Sequence, residues 1–506
     1  MPERKLSAGQ GALLLTVLSG VSQALGFFYR VALSRMVGAE VMGLYQLVMP
    51  VFSVVLSLTA VGLTAAASNL TAQHLALGSG RGAAQTLSTC LKGFFLLLLP
   101  VGAVVVLASD GISVYLLGDA RTQLGLILLV PCVALTGVEN IHKHCFYGAG
   151  LVGPPAVVEL LEQFVRTLAV LGLLTAFLPQ YPERVVGLIV GGMVICELFS
   201  SCTLVLLHRR RRGRLSGPGE EGRVRRRRVA AIALPVGLNA LLGNLLGAVN
   251  AALIPQKLVE GGMERSAAMS QFGVVCGMTM PMLSLPIIFL GAVNLVLGPR
   301  LARAYALERR REAGRLVSQA LSAVSLLTLP AMAGMVVLGP DLGRLLFRQE
   351  TRYLLPLAVV NAMSCLCSVL CCALNNVGRQ RTVAAISLLG GGVQAALTFL
   401  LVPLPGVGMG GYVAGAVWAT GLELVLCFAA AARHAGLSLD IFRWLTAPGL
   451  ASLLAGLNAN LLLRVLRDRD AALLPSVLAV LLFGGILYLA ALQAQGVRVR
   501  ESIRLG

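Results

Sequence analysis

Charge is what this chain has least of. Asp, Glu, Lys and Arg together make up 12% of its 506 residues, about half the share of a soluble domain, so there is too little charge to keep the rest in water. The motifs of common enzymes are also missing. The sequence has no nucleophile elbow, no phosphate-binding Gly loop with its Lys, no HExxH, and no long external loop on which an acid, a base and a substrate could be assembled. The chain therefore reads as a non-enzyme. Its 11 cysteines lie mostly within apolar runs. Even the cluster Cys365, Cys367, Cys371 and Cys372 has no His or carboxylate in its run to complete a ligand set, so no metal or cofactor is expected. A cleavable leader is not expected either, because the first apolar run continues into Arg30.

What is abundant is apolar surface. Hydrophobic residues reach 57% and the mean hydropathy is +0.84, which predicts an all-α, polytopic membrane protein. Apolar runs of about 20 residues, the length needed to cross a bilayer, occur near 11–33, 41–68, 87–108, 122–141, 155–178, 185–207, 229–254, 270–298, 316–338, 354–375, 382–403, 410–432, 444–463 and 474–493. About fourteen transmembrane helices follow from these runs. The 57 glycines suit close helix packing.

The net charge of +19 comes from 41 Lys and Arg against 22 Asp and Glu, and its placement gives the topology. With Lys92 and Arg30 counted in the connections they border, the N-terminus, the even-numbered connections and the tail hold 28 Lys and Arg, the odd-numbered connections hold 12, and Arg166 lies deep within a run. Cytoplasmic segments carry the basic excess, so both termini are expected in the cytoplasm. The longest connection, 208–228, contains ten Arg around a Gly/Pro hinge. It reads as a linker attracted to anionic headgroups; with no aromatic reading module beside it, nucleic acid is not expected as a partner.

That linker divides the chain after six runs. Pro50 recurs as Pro281, and Val105-Val106-Leu107 with Asp110 recurs as Val336-Val337-Leu338 with Asp341, all at an offset of 231. Two pseudo-repeated six-helix lobes are expected, 1–207 and 229–432, with the linker between them and two further helices plus a cytoplasmic tail in 433–506. In many transporters the substrate site lies between such repeats.

Polar side chains inside the runs are the functional candidates, since a charge at mid-bilayer costs at least about 2.5 kcal/mol. Glu159, Glu162, Gln163 and Arg166 fall within about 100° of arc on one helix face. They could form a structural ion pair or the wall of a hydrated cavity. Gln46 opens a stripe of small hydroxylated residues along the second run, and Asn239, Gly243 and Asn250 share a face of the seventh. Arg30 and Arg35 flank the outer end of the first run, and Lys257 the end of the seventh.

The segment Leu25-Gly26-Phe27-Phe28-Tyr29-Arg30, Ser34-Arg35-Met36-Val37-Gly38-Ala39-Glu40, Gly43-Leu44-Tyr45-Gln46 and Pro50 resembles the opening of the stage V sporulation protein B and polysaccharide-biosynthesis family. That family belongs to the multidrug/oligosaccharidyl-lipid/polysaccharide exporter superfamily, which also contains the lipid II flippases. Tyr147-Gly148, Glu162-Gln163-Phe164-Val165-Arg166 and Leu374-Asn375-Asn376-Val377-Gly378-Arg379 extend the resemblance. It departs at Thr64, where relatives often have Pro, and at Lys143-His144-Cys145-Phe146-Tyr147-Gly148, where an Arg-Gly-aromatic pattern is reduced.

The resemblance implies a carrier in the cytoplasmic membrane that moves an undecaprenyl-linked sugar or peptidoglycan precursor, with a role in spore cortex formation. It also implies that Arg30 and Arg35 line a central cavity. On this reading Arg30, Arg35, Gln46, Asn239, Asn250 and Lys257 contact an anionic lipid-linked substrate, while Glu159, Glu162 and Arg166 line or gate the cavity. Cell-wall synthesis proteins are candidate partners. The alternatives are a cation-coupled multidrug exporter of the same superfamily, a membrane-embedded glycosyltransferase or polymerase, and a scaffold for cell-wall enzymes.

Overall fold

The computed structural model describes residues 8–212, 222–285, 289–435, 437, 440–469 and 473–497. The centre of the Arg-rich linker, the basic pair Arg4 and Lys5, and the Arg498, Arg500 and Arg504 tail lie outside the described residues. Helices dominate, and no strand occurs among the described residues. Eleven helices among them are long and apolar enough to cross a membrane. The structure is therefore all-α and polytopic, as expected.

The chain forms two compact units that meet at Gly273 and Val274. The first contains α1 (Ala8–Leu56), α2 (Gly62–Ala76), α3 (Gly80–Leu107), α4 (Gln123–Gly148), α5 (Gly153–Phe177), α6 (Val185–Arg212), α7 (Gly222–Glu260) and α8 (Arg265–Phe272).

Helix α1 combines the first two expected spans, and Gly38 separates them. Gly38 has φ 79° and ψ 175°, non-helical values inside an otherwise continuous helix and ones that glycine adopts without a Cβ penalty. A straight helix would place residues 29 and 45 about 24 Å apart, yet Tyr29 and Tyr45 are close enough to interact electrostatically. The two arms of α1 are therefore folded toward each other about Gly38. A π-helical turn, Ser57–Val61, then joins α1 to α2.

The helix after the Arg-rich linker, α7, packs within this first unit. Its backbone crosses α2 so closely that a Cβ on Gly62 would lie 2.1 Å from the Ala233 carbonyl oxygen. Lower down, Asn244 Nδ2 donates to the Ser53 carbonyl at 3.4 Å. Packing thus cuts the chain at Gly273, whereas the basic linker cuts it at 208–228, and the two divisions differ by α7 and α8.

Contacts between connections keep to one side or the other. On the even-numbered side, Arg228 Nη2 donates to Gln73 Oε1 at 2.7 Å. On the odd-numbered side, Arg121 Nη2 donates to Glu40 Oε1 at 2.6 Å and Gln256 Nε2 to the Leu116 carbonyl at 2.6 Å. That pairing is what alternating spans require.

In the second unit lie α9 (Met280–Ser284), α10 (Leu290–Ala306), α11 (Arg310–Phe347), α12 (Leu354–Asn376), α13 (Gln380–Leu401), α14 (Met409–Ala435), α15 (Ala447–Asp468) and α16 (Leu473–Ala494). The eighth expected span, 270–298, is interrupted rather than continuous: a π-helical turn, Gly273–Thr279, separates α8 from α9, and α10 follows as a separate helix. The core of this unit joins α10, α11, α12 and α14 through Leu297, Val317, Val324, Val369 and Cys427. The last two helices lean on α11 through Leu326, Ala451 and Tyr488, where the Tyr488 hydroxyl donates to the Leu326 carbonyl at 2.9 Å.

Candidate functional site

Three helices of the first unit bury charge where the chain is otherwise apolar. On α5 the sequence spaces Glu159, Glu162 and Arg166 at i, i+3 and i+7, which puts them on one face. This face meets α6, where Ser200 follows the adjacent Cys196 and Glu197 by about one turn, and α4, where Glu139 and Lys143 are an i,i+4 pair.

Arg166 is the centre of this cluster. Its Nη2 donates to Glu162 and to Glu197 Oε1 at 3.2 Å, and its Nε donates to Cys196 Sγ at 3.4 Å. The Glu162 and Glu197 side chains are only 7% and 5% exposed. One planar guanidinium thus satisfies two buried carboxylates, which its fork geometry suits better than a Lys ammonium would. Glu162, Cys196 and Glu197 also bring potential metal ligands within 4.8 Å of one another, but the guanidinium already sits among those donors, so the arrangement holds an internal cation.

The cluster extends on both flanks. Lys143 Nζ donates to Glu159 Oε2 at 2.7 Å, so Glu159 finds in α4 the partner its own helix lacks. Ser200 Oγ donates to Glu139 Oε2 at 2.9 Å. Glu197 Oε2 is buried with no hydrogen-bond partner. Four carboxylates, Glu139, Glu159, Glu162 and Glu197, thus share two cations, Lys143 and Arg166, leaving an excess of two acidic groups in a buried setting.

The candidate substrate residues are dispersed around this core. Arg30 is half-buried on the first arm of α1. One turn before it, Gly26 faces Gln163 of α5, whose Oε1 would lie 3.6 Å from an added Cβ. Tyr29 and Tyr45 lie near both Arg30 and Arg166, and the Tyr45 hydroxyl donates to Met193 Sδ at 3.6 Å. Arg30 therefore belongs beside the α5 cluster, yet it has no carboxylate partner among the described residues. Arg35 is exposed.

Gln46 is half-buried on the second arm, and Asn239 is exposed on α7. Asn250 donates through Nδ2 to the Leu246 carbonyl at 3.2 Å, while its Oδ1 is buried without a partner. Lys257 is 9% exposed and donates to Glu260 Oε2 at 2.6 Å, so its charge is answered within its own helix. Among the candidates, Arg30 comes near Arg166 through Tyr29 and Tyr45, while Glu159 and Glu162 are held with Lys143 and Arg166. Asn239, Asn250 and Lys257 remain along α7.

Sequence reasoning missed Glu139, Lys143, Glu197 and the two tyrosines. A signal for Glu197 was present: it is a lone carboxylate inside the apolar run 185–207, the same criterion that singles out Glu159 and Glu162. Lys143 lies between two histidines, His142 and His144, each of which bonds through Nδ1 to a carbonyl one turn back in α4, at 2.7 Å and 2.8 Å.

Comparison with known proteins places this architecture. Stage V sporulation protein B of Bacillus subtilis is 26% identical over 298 residues, a stretch covering 58% of each chain. The alignment therefore spans little more than half of that relative. The lipid II flippase MurJ of the same organism is 22% identical over 485 residues, covering 85% of this chain and 84% of that one. Among solved structures, a lipid II flippase MurJ in an inward closed conformation superposes with a TM-score of 0.71 at 13% identity, over 95% of this chain and 98% of that one. An inward-facing multidrug resistance MATE transporter of the MOP superfamily superposes with a TM-score of 0.65 at 12% identity, over 83% and 94%. These likenesses establish a shared fold. The family profile described as polysaccharide biosynthesis protein matches residues 8–304, more than half of the sequence, and the chain belongs to that family.

Proposed function

We propose that the protein is a flippase that carries a polyprenyl-diphosphate-linked sugar or peptidoglycan precursor across the cytoplasmic membrane, in polysaccharide or spore cell-wall synthesis. The observation that carries this reading is the contrast between two intramembrane arginines of the first unit. Arg166 is neutralised by Glu162 and Glu197, whereas Arg30, beside the same cluster, has no carboxylate partner among the described residues. An arginine without a counter-charge in an apolar span suits an anionic ligand, and its planar fork donates paired hydrogen bonds to phosphate oxygens. Arg35 would add positive field at the outer end of the same arm, and Gln46, Asn239 and Asn250 would offer hydrogen bonds to the sugar. The polyprenyl tail stays in lipid while the polar headgroup passes through a hydrated path.

The relatives support this reading. One that aligns along most of the chain is named a lipid II flippase, and one that aligns over 58% of it is named a stage V sporulation protein.

A second reading concerns energy coupling and draws on Glu197, whose Oε2 is buried and unpartnered. An excess carboxylate at this position supports a proton or cation as the coupling ion, whether the cargo is a lipid-linked sugar or, as in the rival reading, a cationic drug. Two transport assays on Glu197→Gln and Arg30→Ala separate the cases. For a lipid-linked anionic cargo, Arg30→Ala lowers headgroup translocation at least tenfold and leaves drug efflux at background. For a drug exporter, Glu197→Gln abolishes efflux and Arg30→Ala leaves it intact.

A further inference from the structure

A groove of about 740 Å³ lies between the π-helical turn Ser57–Val61, helix α3 and helix α7, all within the first unit. It takes no part in the arginine and carboxylate site. Its origin is geometric. At Gly62 the backbones of α2 and α7 are nearly in contact, which fixes α7 at one point, and the π-turn just before it widens the helix locally. Such turns recur at functional positions. Between this crossing and α3 the surface stays open.

The lining is sharply divided. Lys92, Arg225 and Arg226 stand at one end, and no carboxylate lines the groove among the described residues. Arg225 is fixed there by donating through Nε to Thr89 Oγ1 at 2.7 Å. The other end is aliphatic, with Leu96 74%, Leu234 71% and Leu238 59% exposed. On α7 this wall runs from Arg226 to Leu241, about 22 Å of helix, somewhat more than one leaflet of a hydrocarbon core about 30 Å thick. The cationic end adjoins the Arg-rich linker, on the side that the basic excess assigns to the cytoplasm.

We propose that this groove is a binding site for a diacyl anionic phospholipid of the cytoplasmic leaflet, its phosphate held by Lys92, Arg225 and Arg226 and its acyl chains laid along α3 and α7. Charge complementarity selects an anionic headgroup, since basic pockets between spans attract such lipids. The one-leaflet depth selects acyl chains over a polyprenyl chain, which would outrun the wall. The inference does not depend on what the protein transports.

The test is a titration of the purified full-length protein with dioleoyl phosphatidylglycerol, read by native mass spectrometry. Dioleoyl phosphatidylcholine and a polyprenyl phosphate form parallel arms. Wild type is expected to retain one phosphatidylglycerol at concentrations where phosphatidylcholine is lost. The variant K92Q/R226Q is expected to bind phosphatidylglycerol roughly thirty-fold more weakly, as befits two cations removed from headgroup level. L96W, which fills the groove and leaves its charges in place, is expected to lower retention as well, whereas R309Q/R310Q on a separate exposed basic surface leaves it unchanged. Equal binding in wild type and K92Q/R226Q, full retention in L96W, phosphatidylcholine binding as tightly as phosphatidylglycerol, or displacement of the bound lipid by polyprenyl phosphate would each overturn the proposal.

Discussion

At the scale of single residues, Arg166 carries a stability prediction and Arg30, on the proposed function, a cargo prediction. Removing Arg166 leaves Glu162 and Glu197 buried without a counter-charge, a change that costs about 3–5 kcal/mol in comparable buried pairs. Arg166→Ala is therefore expected to lower the thermal midpoint of the purified protein by many degrees. Replacing all three groups together, as Glu162→Leu, Arg166→Met and Glu197→Leu, should restore most of that loss because no charge is then stranded. Arg30→Ala should leave the midpoint within a degree or two of wild type, since it breaks no ion pair among the described residues. If both single variants shifted the midpoint equally, the division of roles between the two arginines would be wrong.

A different residue-scale prediction concerns Asp119, in the connection before α4. Burial pushes its carboxyl upward, but hydrogen bonds from the Arg121 side chain and backbone, together with the Arg121 charge, hold it below the ordinary value of 3.8. A depressed folded-state value means that this group's stabilisation is fully present above the unfolded value and is lost as pH falls through the folded one. The Asp119 contribution should therefore be constant from pH 7 down to about 5 and disappear only below the usual carboxylate range. Thermal midpoints of wild type and Asp119→Asn should run parallel near neutrality and converge in strong acid.

At the scale of elements, two glycines of the first unit do different work, and substitution separates them. Gly38 has open space around a would-be Cβ, so Gly38→Ala meets only backbone strain, about 1–3 kcal/mol for a side chain forced into that conformation. Gly62 has ordinary helical angles, with φ −63° and ψ −39°, so Gly62→Ala meets only the Ala233 carbonyl. Backbone rather than a side chain blocks it, so α7 must move, and overpacking of this kind costs at least about 1–3 kcal/mol. Gly62→Leu should be worse still, whereas Gly38→Leu should cost about as much as Gly38→Ala. Thermal midpoints of the four variants would show the two patterns, and a Gly62 series that ignored side-chain size would contradict the close crossing of α2 and α7.

At the scale of the whole molecule, the fold class was legible because membranes leave few options. Backbone polar groups in hydrocarbon must be satisfied internally, so apolar runs of spanning length already mean helices, and Glu159, Glu162 and Arg166 stood out because charge there is costly. What one-dimensional reading loses is which helices meet. Sequence alone does not show that α4 brings Lys143 onto Glu159, or that Glu197, a lone carboxylate in its run, meets Arg166 of the preceding helix. The eighth run reads as one regular span because hydropathy does not register the π-helical turn Gly273–Thr279 within it. The placement of α7 in the first unit depends on a glycine meeting a carbonyl, and hydropathy carries no trace of that.

The central claim is that the protein lets an anionic lipid-linked sugar change leaflets. Its most direct measurement is the rate at which a labelled polyprenyl-diphosphate sugar, loaded into proteoliposomes, becomes accessible on the opposite face to a membrane-impermeant reagent. The account predicts full equilibration with wild-type protein and at least a tenfold slower rate with Arg30→Ala, in a variant whose thermal midpoint matches wild type. A wild-type rate equal to that of protein-free liposomes, or an unchanged rate in Arg30→Ala, would contradict it.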